Sequence, residues 1–179
     1  MAMTLLPNAQ NEGMVELGTY SFTAVTSVNL PNKIFSTAFD NYLIDITYGQ
    51  NTSAGTPYFY FLSGGSAVIT NYYGGAQGWS SAGAAINRAN SNATIVNVSG
   101  GTSVKADFGL NVVSIKLFNP LTTNRKNFMW QHTYWNFSDI QNSLSGGGFC
   151  STASSCDSLV WEVSGGTFTG TMTVYGMRK

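Results

Sequence analysis

Charge is scarce in this chain. Lysine, arginine, aspartate and glutamate make up 9% of 179 residues, eight basic against eight acidic, where about 25% is usual for a soluble domain. No basic cluster is larger than Arg125-Lys126 or Arg178-Lys179, so the cationic stripe that neutralises a phosphate backbone is missing and nucleic acid is not expected as a partner. Solubility must rest on Ser, Thr, Asn, Gln and Gly. Low net charge also removes the repulsion that keeps copies of a protein apart, which favours association in an oligomer or a larger assembly.

Long apolar runs are missing as well. None approaches the roughly 18 residues of a membrane helix, so no membrane partner is expected. The opening "MAMTLLPNAQNEGM" has no basic start and only a short apolar patch at Leu5 and Leu6, so a chain that begins here is expected to carry no secretory signal, to be made in a cytosol and to stay soluble. The sequons at Asn51, Asn92, Asn97 and Asn136 then read as chance in a chain rich in Asn, Ser and Thr.

Groups that do chemistry are few. The single histidine, His132, lies between Trp130 and Tyr134 in an alternating stretch, with no G-x-S-x-G serine to pair with it. It reads as a hydrogen-bonded structural side chain rather than a base. The acids are scattered, Asp40 and Asp45 around one strand start and Glu162 inside another, with no sign of the facing carboxylates that glycoside hydrolysis needs. Calcium loops, H-E-x-x-H helices and phosphate loops are absent too. No catalytic residue, metal or cofactor is assigned.

Cys150 and Cys156 bracket "STASS" in an expected loop after Gly146-Gly147-Gly148. The spacing allows a small disulfide ring in oxidising surroundings and a pair of thiols in reducing ones. With no neighbouring Cys or His, zinc has no ligand set.

What the chain does have is alternation. In "GTFTGTMTVYG", residues 166–176, Phe168, Gly170, Met172 and Val174 share one face of an extended strand and four threonines share the other, the pattern of a half-buried antiparallel strand. Similar signals predict strands over 18–28, 42–48, 58–62, 68–73, 94–98, 104–108, 112–118, 126–137 and 159–163. The glycine-rich 74–93 reads as a long exposed loop with a short helical turn at 82–89. Residues 1–14 lack periodicity and read as an extended N-terminal arm; residues 15–179 form a single domain. Eight to ten strands in a chain of this size predict an all-β, two-sheet antiparallel sandwich of jelly-roll type, with an up-and-down barrel as the competing architecture.

Aromatics are plentiful, and Tyr72-Tyr73, Trp79, Trp130 and Trp135 have flat faces suited to sugar rings. In a sandwich most such side chains pack in the core or on the sheets. Trp79, in the polar glycine-rich stretch, is the one expected at an exposed contact.

The strands "YSFTAVTSVNLP" and "NYLIDITYG", the strand-turn-strand "SIKLFNPLTTNRKNFMWQ" and the close on "SGGTFTGTMTVYGMRK" together resemble small virion structural proteins of tailed bacteriophages. The likeness runs from about Thr19 to Lys179, and the final threonine-rich strand carries most of it. It implies a β-sandwich made in the bacterial cytoplasm and displayed on the virion. One implied role is a capsid cement (decoration) protein, a homotrimer on the capsid surface that binds the major capsid protein, with Met3, Leu5, Leu6 and Met14 of the arm lying over a neighbouring subunit. The alternative is the tip domain of a tail fibre that recognises a host surface glycan. A fibre protein ordinarily needs a shaft and an anchor, for which 179 residues leave little room, so the cement role is the leading expectation. The Cys150–Cys156 loop is not part of the resemblance.

Overall fold

The computed structural model describes residues 13–50, 52–106 and 109–177. Among them the chain forms thirteen strands and no α-helix. It lays down β1 (Met14–Val25), crosses to a facing layer as β2 (Ser27–Asn29) and returns as β3 (Asn41–Gln50). The second layer then receives the hairpin β4 (Pro57–Ser63) and β5 (Ser66–Val68), and the first receives the hairpin β6 (Tyr72–Ser80) and β7 (Ala85–Ala93). A short β8 (Val96–Asn97) pairs with β4, after which β9 (Asn111–Phe118), β10 (Lys126–Trp135) and β11 (Gln141–Cys150) meander through the first layer. β12 (Ser158–Val163) enters the second layer, and β13 (Phe168–Met177) ends in the first.

The result is an all-β sandwich. The larger sheet has eight strands in the order β1-β13-β3-β9-β10-β11-β6-β7, and the smaller has β2-β12-β4-β5 with β8 beside β4. The pairings are antiparallel.

Alternation explains why these segments became strands and which way they face. Tyr42, Ile44, Ile46 and Tyr48 of β3 are all fully buried, as their shared parity predicts, and so are Val113, Ile115 and Leu117 of β9. They meet Phe59 and Phe61 of β4 and Leu159, Trp161 and Val163 of β12 in one core. Edge-to-face ring pairs join the two layers, Tyr48 to Trp161 at 5.6 Å and Phe59 to Phe128 at 5.5 Å, the geometry that the ring quadrupoles favour.

Several expectations need correction. The stretch 74–93 is no loop: it supplies most of the β6–β7 hairpin, and residues 85–89, assigned to a helical turn, lie in β7. Gly146-Gly147-Gly148 lies within β11, a strand the alternation did not reveal, and the loop expected after it runs over residues 151–157. Glycine marks turns in most contexts, but here Gly74 and Gly75 register opposite Gly148 and Gly147. A Cβ on Gly148 would lie far inside van der Waals contact distance of Tyr73 O, and one on Gly146 would collide with the Trp130 indole. These glycines permit close approach of strands and rings.

Two expected strands are each split where the chain changes layer. The expected 18–28 becomes β1 and β2, separated near Ala24, whose φ is 50°. The expected 68–73 breaks at Asn71, φ 67°, a residue that tolerates the left-handed region. Within 104–108, Val104 makes only isolated bridges, to Gly55 and Asn136, and 107–108 lie outside the described residues. Met14 is the first residue of β1, paired with Met177, so it belongs to the sheet rather than to an arm. Met3, Leu5 and Leu6 lie outside the described residues.

Candidate binding surface

The inner face of β10 holds the polar residues that sequence reading singled out. His132 is buried, with Nδ1 3.1 Å from Val98 O and Nε2 3.2 Å from the Tyr48 hydroxyl. Its ring stacks on Tyr134 with centroids 4.4 Å apart, and the Tyr134 hydroxyl donates to Ser99 O at 2.7 Å. Burial pushes the His132 pKa down to about 3, against a smaller upward pull from the Val98 carbonyl. A carbonyl only accepts, so Nδ1 carries the proton and donates it to Val98, which leaves Nε2 to accept from Tyr48. The arrangement pins residues 98–99 under β10, the structural role expected from sequence.

The second polar cluster is equally closed. Cys150 and Cys156 are free thiols here, both fully buried, and so is Lys126, whose register partner is Cys150. The Lys126 ammonium donates to Thr152 O. Burial raises both thiol pKa values, that of Cys156 to about 12, and lowers that of Lys126. Thiols so placed stay protonated and are poor nucleophiles. Among the described residues no group of three or more His, Cys, Asp or Glu side chains is placed to hold a metal ion.

Chemistry accessible to a partner lies instead on the outer face of the larger sheet. Strand register aligns Asn87, Gln77, Ser145, Gln131, Ser114 and Asp45 on successive strands from β7 to β3. The row continues through Thr173 of β13 to Thr19 of β1, where the two hydroxyls are 3.0 Å apart. Eight strands thus each present one hydrogen-bonding side chain, and only Asp45 carries a charge.

Apolar groups break this face in a few places. Leu110 and Phe137 are 69% and 71% exposed, and Val112 is 50% exposed. They share one end of the sheet: Leu110 precedes β9, Phe137 lies in the β10–β11 turn, and Trp135 N donates to Asn111 Oδ1 across the junction. Trp79, 68% exposed near the end of β6, stands on the surface as expected. Met14 and Trp79 are not brought together, since five strands separate β1 from β6. Sequence reading missed Leu110 because it falls just outside an alternating run, and Phe137 because it was placed inside the expected strand 126–137, whereas β10 ends at Trp135 and leaves it in the turn. It missed Gln77, Asn87 and Ser145 because strand partners are not visible in a single strand.

No protein-family model matches the chain, and no curated protein matches it.

Proposed function

We propose that this chain is a non-enzymatic virion structural protein of a tailed bacteriophage, a capsid cement protein that binds and stabilises major capsid subunits as a homotrimer on the capsid surface. The observation that carries the reading is the apolar end of the larger sheet, where Leu110, Val112 and Phe137 stand exposed together on a domain with formal net charge +0. Exposed apolar patches mark contact sites on soluble proteins. Weak individual contacts become firm adhesion when a symmetric shell repeats them.

The sandwich is proposed to be a jelly roll. Taken without β6, β7, β8, β10 and β11, the remaining strands lie in the orders β1-β13-β3-β9 and β2-β12-β4-β5. Numbered one to eight along the chain, these become 1-8-3-6 and 2-7-4-5, the interleaving of two Greek keys. The five other strands are then additions, four of which widen one sheet beyond the second.

The test is co-sedimentation of purified protein with phage heads stripped of it. Wild-type protein saturates the heads, and the paired change Leu110→Asp and Phe137→Asp abolishes binding without altering the circular dichroism spectrum. Full occupancy by the variant, or an intact particle in which this mass sits on the tail, overturns the reading.

A further inference from the structure

A groove crosses the outer face of β7, β6 and β11 next to the polar row. Its floor is Ala89, Gly75 and Gly147, registered opposite one another on three adjacent strands. None has a side chain longer than a methyl group. One wall is the row two residues further along each strand, Asn87, Gln77 and Ser145, all exposed. The opposite wall is Tyr73 and Phe149, whose rings stack at 5.1 Å and 19°. Trp79 stands beyond the amide wall, two residues from Gln77 and so about 7 Å along the strand. The part of the cleft between β7 and β6, lined by Gly75, Ala89, Asn87, Gln77 and Ser145 with Ala76 and Arg88 at its margin, measures about 670 Å³.

We infer that this groove is a binding site for a neutral oligosaccharide. A sugar ring presents hydroxyls around its rim and C–H bonds on its faces, so it needs hydrogen-bonding side chains on one side and flat apolar ones on the other. The groove has both. Amide groups of Gln and Asn both donate and accept, as do sugar hydroxyls, and Ser145 adds a hydroxyl of its own. Tyr73 and Trp79 offer the apolar rings, while Phe149 backs Tyr73 and is itself covered by the Arg125 guanidinium. Charge decides between classes of polymer. Among the described residues no carboxylate lines the cleft, and the one on the polar row, Asp45, is four strands away from β6, so a basic peptide finds no complement here. Of the bordering cations, Arg88 donates to the Gly100 and Asn87 carbonyls and Arg125 sits over the Phe149 ring at 4.7 Å. That leaves uncharged amides and a hydroxyl to face a ligand, and makes anionic sugars the comparison that the test must carry. The three floor strands cover about 10 Å at the usual strand spacing, which suits a chain of two or three rings better than one.

The site is independent of whether the protein sits on the head or the tail, so its failure leaves the cement role standing. The probe is an array of neutral oligosaccharides of one to six rings, with heparin and hyaluronate fragments as anionic comparisons, followed by calorimetry on the best ligand. A neutral oligosaccharide should bind, more tightly as it lengthens from one ring to three. The double change Gln77→Ala with Asn87→Ala, and separately Trp79→Ala, should each weaken it about tenfold or more, a step of about 1.4 kcal/mol. All three side chains are exposed, so unfolding is not the expected cause of any loss, and melting curves check this. Binding of only the anionic fragments, no binding of any sugar at millimolar concentration, or binding that survives both variants overturns the inference.

Discussion

The Tyr48 hydroxyl and His132 Nε2 lie 3.2 Å apart in the core, one on β3 and the other on β10. Each would be an unsatisfied polar atom without its partner, and the pair forms only while the imidazole is neutral. The site therefore couples the fold to pH.

The sign follows from where the protons sit. Folded His132 has its pKa lowered to about 3, against 6.5 in an unfolded chain. Between those values the unfolded state binds more protons, so stability is complete above pH 6.5 and is lost as pH falls towards 3. The slope is roughly 1.4 kcal/mol per pH unit from this group. Urea unfolding at pH 7, 5 and 4 should show it, and His132→Gln should flatten the profile while lowering stability at pH 7. A folded-state imidazole resonance titrating near 6.5 would contradict the burial argument.

The two thiols should be silent in the native protein. Cys150 and Cys156 are fully buried, and burial holds the Cys156 pKa near 12, so both accessibility and thiolate fraction are small. Under reducing conditions, a chromogenic aromatic disulfide should label neither cysteine over minutes in buffer and both within seconds in concentrated urea. Rapid labelling without denaturant would show that the 151–155 loop opens far more readily than its packing implies.

Legibility differed between strands of one sheet. β3, β9, β10 and β13 announced themselves because each has one face in the core and alternates accordingly; Tyr42 to Tyr48 and Phe168 to Val174 are the clearest cases. β6 and β11 did not, because Gly74, Gly75, Gly147 and Gly148 remove the side chains that alternation is read from, and β7 did not because its sequence AINRANSNA has almost no apolar side chain large enough to alternate. The breaks at Ala24 and Asn71 were hidden for another reason, since a chain that crosses between layers keeps its apolar periodicity on both sides of the crossing. The groove belongs to the same blind spot. Gln77 and Ser145 are opposite one another only through register, a property of two strands together.

The glycine pairs make a sharp prediction about stability. At Gly148 a Cβ would meet Tyr73 O and the Gly74 Cα at once, both backbone atoms with little freedom to move, whereas at Gly13 it would meet nothing within 4 Å. Gly148→Ala should therefore cost about 3 kcal/mol or more, in the range of severe overpacking, and Gly13→Ala should leave the midpoint of denaturation within experimental scatter. Equal behaviour of the two variants would mean that β6 and β11 adjust their spacing freely.

Trp161 sets two effects against each other. It is fully buried in β12, against Tyr48, yet its indole Nε1 has no hydrogen-bond partner. Trp161→Ala removes a ring that fills the centre of the sandwich and should cost about 3–5 kcal/mol. Trp161→Phe keeps most of the apolar surface and deletes the unpartnered N–H, whose burial alone costs about 1–3 kcal/mol. That relief offsets much of the lost packing, so the phenylalanine variant should fall within about 1 kcal/mol of the parent, inside the range of volume-conserving core changes. Chemical denaturation of the three proteins, fitted with a common slope, distinguishes the outcomes. A phenylalanine variant as unstable as the alanine one would mean that the indole N–H has a partner in solution and that the ring is held by more than its apolar area.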